Sequence, residues 1–454
     1  MSFAALDSDL TGPLFATDAM RACFADTARL RAMLAAEAAL ARAEAAFGLA
    51  PAALAEAIAA IAPESLDAAA IGQATALAGV PTIPFVRAVQ ARLPAELERA
   101  FHQGATTQDI LDTALALQLR EALALIAVDL VAILEGLAGI AVAHRGTPCA
   151  GRTYGQHAAP ITFGFKAAVW LAGVAEVAER LPALRARALV ASLGGPVGTL
   201  AALGAHGPAV ADRFAAELGL GGAPLAWHTR RGRIAEVGSW LAELIGATAK
   251  LATDVANLAA TEVAEVAEPY APGRGGSSAM PHKRNPVSCT VILAAHAAAP
   301  GLAAALLTAM AAAHERPAGV WHSEWHALPS LFGLAAGALR EARALAEGLE
   351  IDPARMRRNL GLTNGLLFAD AAAARLGPAL GREAAHALVE HAAGDVRRSG
   401  AQLRDVLAAD EAVRACGIDL SAAFDLAPAI AAAGPWVDRA VAEAARVRAK
   451  LAPA

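Results

Sequence analysis

Apolar residues recur along most of this chain with the 3.6-residue period of an amphipathic helix. Residues 26–47 are the clearest case, because Leu30 and Met33 fall on one helical face, Asp26 can cap the start and Gly48 can end the helix. The same period predicts five further helices, several of them longer than the average of about 10–14 residues. They cover residues 109–143, 162–193, 234–266, 288–313 and 330–349.

Long helices joined by short glycine- and proline-containing connections predict a bundle, since each apolar stripe must be buried against another helix. Composition favours an all-α fold class, because alanine is abundant and aromatic residues make up only 4% of the chain. Breaks near residues 104–107 and 351–353 predict three parts. These are an N-terminal helical domain (1–108), a central long-helix bundle (109–350) and a small C-terminal helical domain (351–454).

Charge and cysteine usage narrow the class of partner. The chain has 454 residues, a net charge of −5 and no lysine- or arginine-rich run, which disfavours nucleic acid and anionic membranes. Its four cysteines are far apart, which disfavours a zinc site and a disulfide framework, and no secretory signal follows Met1. We therefore expect a cytoplasmic protein that acts on a small molecule.

One uncharged stretch, residues 291–313, is long enough to raise the question of a membrane span, for which about 20 apolar residues suffice. It is mostly weakly hydrophobic alanine, and it contains His296 and Pro300. We interpret it as a core helix of the bundle.

The segment from residue 268 to residue 286 interrupts the helical pattern. Gly273, Gly275 and Gly276 give it conformational freedom and expose backbone N–H groups, which suits an anionic ligand. Its side chains that can contact such a ligand are those of Ser277, Ser278, Lys283 and Asn285. Glycine and serine alone are equally typical of a flexible linker.

The string GSSAMPHKRNP at residues 276–286 resembles the signature loop of the fumarase/aspartase superfamily. Residues 102–109 (HQGATTQD) and 151–158 (GRTYGQHA) resemble the other active-site segments of that superfamily, in the expected order. The resemblance covers essentially the whole chain. It implies a three-domain helical fold, a homotetramer whose active sites combine segments from three chains, and chemistry without a cofactor or a metal.

Within the superfamily, the adenylosuccinate lyases share the loop wording. They are expected to have a His-Asp-Val segment in the N-terminal domain and a histidine general acid after the threonine of Gly-Arg-Thr. Here residues 79–86 read GVPTIPFV, and Tyr154 follows Thr153. A tyrosine, with an ordinary pKa near 10, is a poor substitute for imidazole.

The carboxymuconate cycloisomerases are the group that the chain resembles more closely. They have a large aromatic residue like Tyr154, an Ile-Pro pair like Ile83–Pro84 and segments similar to residues 227–231 and 314–325. The resemblance implies intramolecular addition of a muconate carboxylate to a C=C bond, with protonation at Cα, in the breakdown of protocatechuate. The alternatives are an adenylosuccinate-type lyase that releases fumarate and, more distantly, a catalytically silent scaffold.

The resemblance also implies roles for the loop residues. A loop serine exchanges the Cα proton, and this role falls to Ser277 or Ser278, with Ser277 preferred. Lys283 can lower the serine's pKa, and Lys283 and Asn285 can stabilise the enolate-like charge. Either serine can instead cap the following turn.

Residues outside the loop are candidates for binding the substrate carboxylates. As neutral donors or paired groups we propose Thr106, Thr107, Gln156 and His157, and as bidentate cations Arg152 and Arg316. Either threonine can instead be the N-cap of the following helix, and either arginine can belong to a structural ion pair.

The remaining histidines receive no chemical role. His102 is interpreted as a packed or capping residue. His314, His322, Glu324 and His326 resemble a metal-ligand set in composition. Their spacing matches no standard zinc motif, and the superfamily resemblance implies no metal.

Overall fold

The computed structural model describes residues 3–276 and 279–451. Its N-terminal part contains the helices α1 (Gly12–Phe15), α2 (Asp18–Cys23), α3 (Asp26–Ala45), α4 (Ala53–Ala59), α5 (Ala68–Ala78) and α6 (Thr82–Gln90). Helix α3 begins and ends close to the predicted bounds. Asp26 is its first residue, and Ala25 occupies the N-cap position.

The middle of the chain consists of long helices and two small pairs of strands. The helices are α7 (Thr107–Ala143), α8 (Phe163–Ala178), α9 (Leu181–Ala188), α10 (Gly207–Glu217), α11 (Gly232–Leu258), α12 (Val287–Thr308) and α13 (Val320–Gly348). The strands are β1 (Pro148–Thr153) with β2 (Gln156–Thr162), and β3 (Val266–Ala267) with β4 (Glu350–Ile351), both pairs antiparallel.

The C-terminal part contains α14 (Pro353–Asn359), α15 (Ala369–Leu380), α16 (Arg382–Ser399), α17 (Leu403–Ala409), α18 (Glu411–Cys416) and α19 (Ala427–Leu451). Short 3-10 helices punctuate the connections at Ala5–Asp7, Pro63–Ser65, Glu98–Ala100, Ala201–His206, Leu366–Phe368 and Ser421–Phe424. The fold is helical with very short strands, which confirms the all-α prediction.

Four local predictions were wrong in detail. The single helix expected over residues 162–193 is divided into α8 and α9, and Pro182 lies in the first turn of the second helix, where a proline is tolerated. The helix predicted over 234–266 ends at Leu258, and the helix predicted over 288–313 ends at Thr308. Helix α13 begins ten residues earlier than predicted and continues through Pro329, because packing in the core overrides the local cost of proline.

The β1–β2 hairpin was not predicted either. Its turn residues Tyr154 and Gly155 both have positive φ, at 52° and 76°, which matches the twist of a two-residue hairpin turn. The pairing slips between Gly151 and Arg152, where a bulge redirects the strand.

Buried apolar residues form a large central cluster and three smaller ones, the smallest of which consists of Ala150, Leu360 and Leu367. The central cluster draws on α7, α8, α11, α12 and α13, and the C-terminal helix α19 packs onto it. The N-terminal cluster includes residues 191–220 from the middle of the chain, and the C-terminal cluster spans residues 372–423. The predicted domain edges at 108/109 and 350/351 remain a prediction.

Two described helices, α7 and α12, are long and apolar enough to cross a membrane, judged by length and composition. Only 39% of the most apolar stretch of α7 and 33% of that of α12 is buried within this chain. Both pack against α13 in the bundle. The chain therefore leaves part of their apolar surface uncovered.

Candidate active site

The start of α7 brings two of the predicted residues together. Thr106 is the N-cap residue of this helix. Arg316, in the connection between α12 and α13, donates from Nη2 to Thr106 Oγ1 at 2.9 Å and to the Pro196 carbonyl at 3.4 Å. Its Nε donates to Gln108 Oε1 at 3.1 Å. Residues 210 positions apart thus meet at one helix start.

All three of these acceptors are neutral. Within residues 3–276 and 279–451, no carboxylate lies within ion-pair distance of Arg316. Arg316 is exposed. Its positive charge is therefore oriented by the protein and not neutralised by it.

The buried Asp109 connects the start of α7 to two other segments of the chain. Its buried carboxylate accepts the backbone N–H groups of Thr106 at 2.9 Å, Gly194 at 2.9 Å and Gly195 at 2.8 Å. Nε2 of the buried His228 lies 2.6 Å from Asp109 Oδ1. One carboxylate thus joins three distant segments at the position where Thr106 is held.

A second buried cluster lies one helical turn further along α7. Arg231 is fully buried and donates to Asp112 at 2.7 and 3.0 Å and to Glu324 at 2.8 Å. Trp321 Nε1 also donates to Asp112, at 3.3 Å. Burial alone would lower the pKa of Arg231, but the carboxylates of Asp112 and Glu324 outweigh it and raise that pKa. Glu324, which resembles a metal ligand in the sequence, is instead an ion-pair partner of Arg231.

Arg152 has a different environment from Arg316. On strand β1 it forms a bidentate ion pair with Glu265, at 3.0 and 2.5 Å. Glu265 is fully buried and also accepts from Asn359 Nδ2 at 2.8 Å. This geometry is that of the structural ion pair left open as an alternative by the sequence.

The other hairpin residues lie near Arg152. Tyr154 at the turn is fully exposed, and Gln156 is exposed. His157 is half-buried, and its Nδ1 has no hydrogen-bond partner in the described part of the chain. Burial lowers the pKa of His157, and Arg152 lowers it further. The hairpin thus holds a half-buried imidazole that is neutral at neutral pH, next to an exposed amide.

Ser277 and Ser278, the predicted proton-transfer residues, lie outside the described residues. The loop around them is closed at its base, because Asn285 N donates to the Gly275 carbonyl at 2.8 Å. Gly275 has φ of 66°, and a Cβ there would lie 2.5 Å from the Asn285 oxygen, so the closure requires glycine. The side chains of Lys283 and Asn285 are exposed.

Charged anchors hold both ends of this loop. Arg274 donates to Ser288 Oγ at 2.7 Å and to Glu341, and Arg284 donates to Glu350 at 3.0 and 2.9 Å. Arg274 and Arg284 are thus paired with carboxylates. Lys283 has no ion pair among the described residues.

The buried Glu268 carboxylate accepts the N–H groups of Ser288 and Cys289, both at 2.9 Å, at the first turn of α12. This turn is the end of the loop that leads into the bundle. A carboxylate is favourable there, because it satisfies free N–H groups and faces the positive end of the helix dipole.

No hydrogen bond or ion pair between described residues joins the Arg316 group, the hairpin and the glycine-rich loop. Thr107 follows Thr106 at the start of α7, and its carbonyl accepts from Thr82 Oγ1 at 3.1 Å. One chain therefore supplies three separate polar groups.

Several residues of the site were missed from the sequence. Gln108 and Asp109 were considered only as part of the segment 102–109, and Asp112 received no role, because polar residues in the first turns of a helix are typical of its start and do not by themselves indicate a buried site. His228 and Arg231 were noticed only as part of a similar segment. His102, read as a packed residue, lies with Nδ1 2.6 Å from the buried Glu37 Oε1.

Comparison with known proteins places the chain. A family model described as "Lyase" matches residues 14–301, and one described as "Adenylosuccinate lyase C-terminus" matches residues 365–440. The 3-carboxy-cis,cis-muconate cycloisomerase of Pseudomonas aeruginosa is 48% identical, over 93% of this chain and 94% of that protein. The nitrosuccinate lyase of Streptomyces davaonensis is 44% identical, over 96% of this chain and 95% of that protein.

Solved structures agree. The crystal structure of 3-carboxy-cis,cis-muconate lactonizing enzyme from Pseudomonas putida superposes with a TM-score of 0.92 at 44% identity, covering 97% of this chain and 100% of that one. The similarity therefore extends over sequence and fold together, from the N-terminal part to the C-terminal helices.

Proposed function

Because the chain belongs to the fumarase/aspartase superfamily of lyases, we propose that it is the cycloisomerase that converts 3-carboxy-cis,cis-muconate to 4-carboxymuconolactone. Full-length similarity to relatives with that name favours this enzyme over an adenylosuccinate-type lyase that releases fumarate. The reaction belongs to the degradation of protocatechuate through the β-ketoadipate pathway, and we place the protein in the cytoplasm.

The observation that carries this proposal is the environment of Arg316. A tricarboxylate needs a cation that is free to receive it, and among the described residues the acceptors that hold Arg316 are all neutral. A carboxylate can bind there without first displacing an internal carboxylate. Thr106 contacts it, and Thr107, Gln156, His157 and Asn285 remain proposed contacts, whereas the ion pair of Arg152 with the buried Glu265 favours the structural alternative for that arginine.

The chemistry follows from the substrate. One carboxylate oxygen forms a C–O bond to an alkene carbon, and the neighbouring carbon, α to another carboxylate, takes a proton. We propose Ser277 as the proton donor, with Ser278 as the alternative. Lys283 without an ion pair in the described loop can lower the pKa of that serine and stabilise the enolate-like charge.

No acid is needed for the leaving group in the reverse reaction, because a carboxylate leaves unprotonated. The exposed Tyr154 therefore fits this chemistry, where a fumarate-releasing lyase of the adenylosuccinate type is expected to use a histidine. No cofactor or metal is required by this scheme.

We further propose a homotetramer with active sites shared between subunits. Two observations support it: the three polar groups are separate within one chain, and α7 and α12 leave apolar surface uncovered. Light scattering coupled to size-exclusion chromatography tests this, and a monomer with full activity would contradict it.

Activity is tested with purified, EDTA-treated protein by following the loss of diene absorbance of 3-carboxy-cis,cis-muconate. Nitrosuccinate and adenylosuccinate are assayed in parallel, since both chemistries occur among the named matches. Turnover of the muconate alone supports the proposal. Fumarate release from a succinyl compound without muconate turnover would overturn it and leave the superfamily assignment in place.

A further inference from the structure

Gln108 is a fully buried amide that contacts Arg316 directly. Its Nε2 donates to the His228 carbonyl at 2.9 Å and to Asp112 Oδ2 at 3.2 Å, and its Oε1 accepts from Arg316 Nε at 3.1 Å. Every polar atom of this amide therefore has a partner.

These contacts allow only one orientation of the Gln108 amide. The two partners of Nε2, Asp112 Oδ2 and the His228 carbonyl, are both acceptors. Reversing the amide would place its oxygen against both of them and its NH2 group against a guanidinium, and all three hydrogen bonds would be lost. The Gln108 oxygen is therefore the atom that accepts from Arg316.

Asp112 is itself buried and hydrogen-bonded. It accepts two hydrogen bonds from the buried Arg231, at 2.7 and 3.0 Å, so the acceptor that orients Gln108 belongs to the buried ionic cluster. A chain of contacts leads from Arg231 through Asp112 and Gln108 to Arg316. The outermost member is the only one of the four that is exposed.

An amide at this position can orient Arg316 without neutralising its charge, which a carboxylate cannot do. Gln108 and Thr106 occupy Nε and Nη2 of Arg316, while Nη1 has no acceptor in residues 3–276 and 279–451. The guanidinium is oriented, keeps its charge, and retains one free donor group. A glutamate of the same shape would neutralise it, as Glu265 neutralises Arg152.

We propose that Gln108 is a positioning residue that holds Arg316 ready for a substrate carboxylate without cancelling its charge. This inference rests on the proposed function, in which Arg316 binds that carboxylate. It assigns to Gln108 a role in affinity through a neighbouring residue, and no contact with the reacting atoms.

The test compares Gln108→Glu and Gln108→Met in steady-state kinetics with 3-carboxy-cis,cis-muconate. We expect Gln108→Glu to raise KM by roughly tenfold or more, with a much smaller change in kcat, because the carboxylate neutralises Arg316. Its second oxygen faces Asp112 and the His228 carbonyl, so this variant should also lose stability. Gln108→Met keeps the charge but loses the orienting acceptor, so its KM should rise by a smaller factor. If Gln108→Glu does not fold, a raised KM in Gln108→Met still supports the inference, and a wild-type KM overturns it.

Gln118→Glu is the matched control. Gln118 is also buried on α7, but its amide donates to the Cys23 carbonyl, away from Arg316. This variant should lose thermal stability while keeping the wild-type KM. Equal KM in Gln108→Glu and Gln118→Glu would overturn the inference. An inactive wild-type enzyme would instead refute the proposed function, so the two failures are distinguishable.

Discussion

Two arginines connected by the same polar network, Arg231 and Arg316, differ in what accepts their hydrogen bonds. Arg231 is fully buried between the carboxylates of Asp112 and Glu324. Arg316 is exposed and held by a hydroxyl, an amide and a backbone carbonyl. Acidic partners make a guanidinium part of the structure, whereas neutral partners leave it available to a ligand.

Arg231→Met should have the largest effect on stability. It leaves Asp112 and Glu324 buried without their cation, and breaking a buried pair in this way costs about 3–5 kcal/mol. Urea denaturation measures it. Arg230→Met is the control, because Arg230 is exposed and donates to the Leu225 carbonyl. Equal denaturation midpoints for the two variants would contradict the structural role of Arg231.

Arg316→Met should affect activity and not stability. We expect little change in the denaturation midpoint and a fall in kcat/KM. Loss of a charge-assisted hydrogen bond predicts a decrease of roughly 10- to 100-fold, mostly through KM. Arg316→Lys keeps the charge and should recover part of the loss. A wild-type KM in Arg316→Met would remove Arg316 from the binding site.

Arg152→Met tests whether Arg152 is structural or binds the substrate, because the sequence left both roles open for this residue. Its ion pair with the buried Glu265 predicts a loss of about 2 kcal/mol of stability, larger than its effect on KM. The double variant Arg152→Met with Glu265→Gln should regain some stability, since the unpaired carboxylate is gone. A large rise in KM at unchanged stability would show that Arg152 binds the substrate.

A cluster whose cation is a histidine should depend on pH, unlike the Arg231 cluster. Burial and the nearby Glu37 raise the pKa of Glu44 and His102 lowers it, with the net result that the pKa is raised to about 8. Burial lowers the pKa of His102, but Glu37 outweighs it, and the net shift is upward. Both groups bind protons more tightly when folded, so their contribution to stability is present at low pH and is lost as pH rises through the folded pKa values.

We therefore expect the thermal midpoint to fall between pH 6 and pH 8.5, by an amount equivalent to roughly 1 kcal/mol. Glu44→Gln should flatten this slope, because the amide keeps the shape and does not ionise. Glu56→Gln, at an exposed position on α4, is the control and should keep the wild-type slope. An unchanged slope in Glu44→Gln would rule out this carboxyl as the cause.

Much of the fold could be predicted because it depends on local pattern. Helix α3 and the bundle helices follow from apolar residues at helical spacing, and the signature loop from a glycine-rich string of consecutive residues. The β1–β2 hairpin could not be predicted in the same way. Its strands are short and are stabilised by each other, with Pro148 opposite Thr162 and a bulge at Gly151, rather than by their own periodicity.

The helical class, the superfamily and the segments that carry the polar residues could be read from the sequence, because each is encoded in neighbouring positions. It could not separate Arg152 from Arg316, two arginines next to similar motifs. That distinction was decided by Glu265, 113 residues from Arg152, and by Gln108, 208 residues from Arg316. Only the tertiary structure brings such partners together, and the charge of the partner decides whether a guanidinium is structural or free to bind.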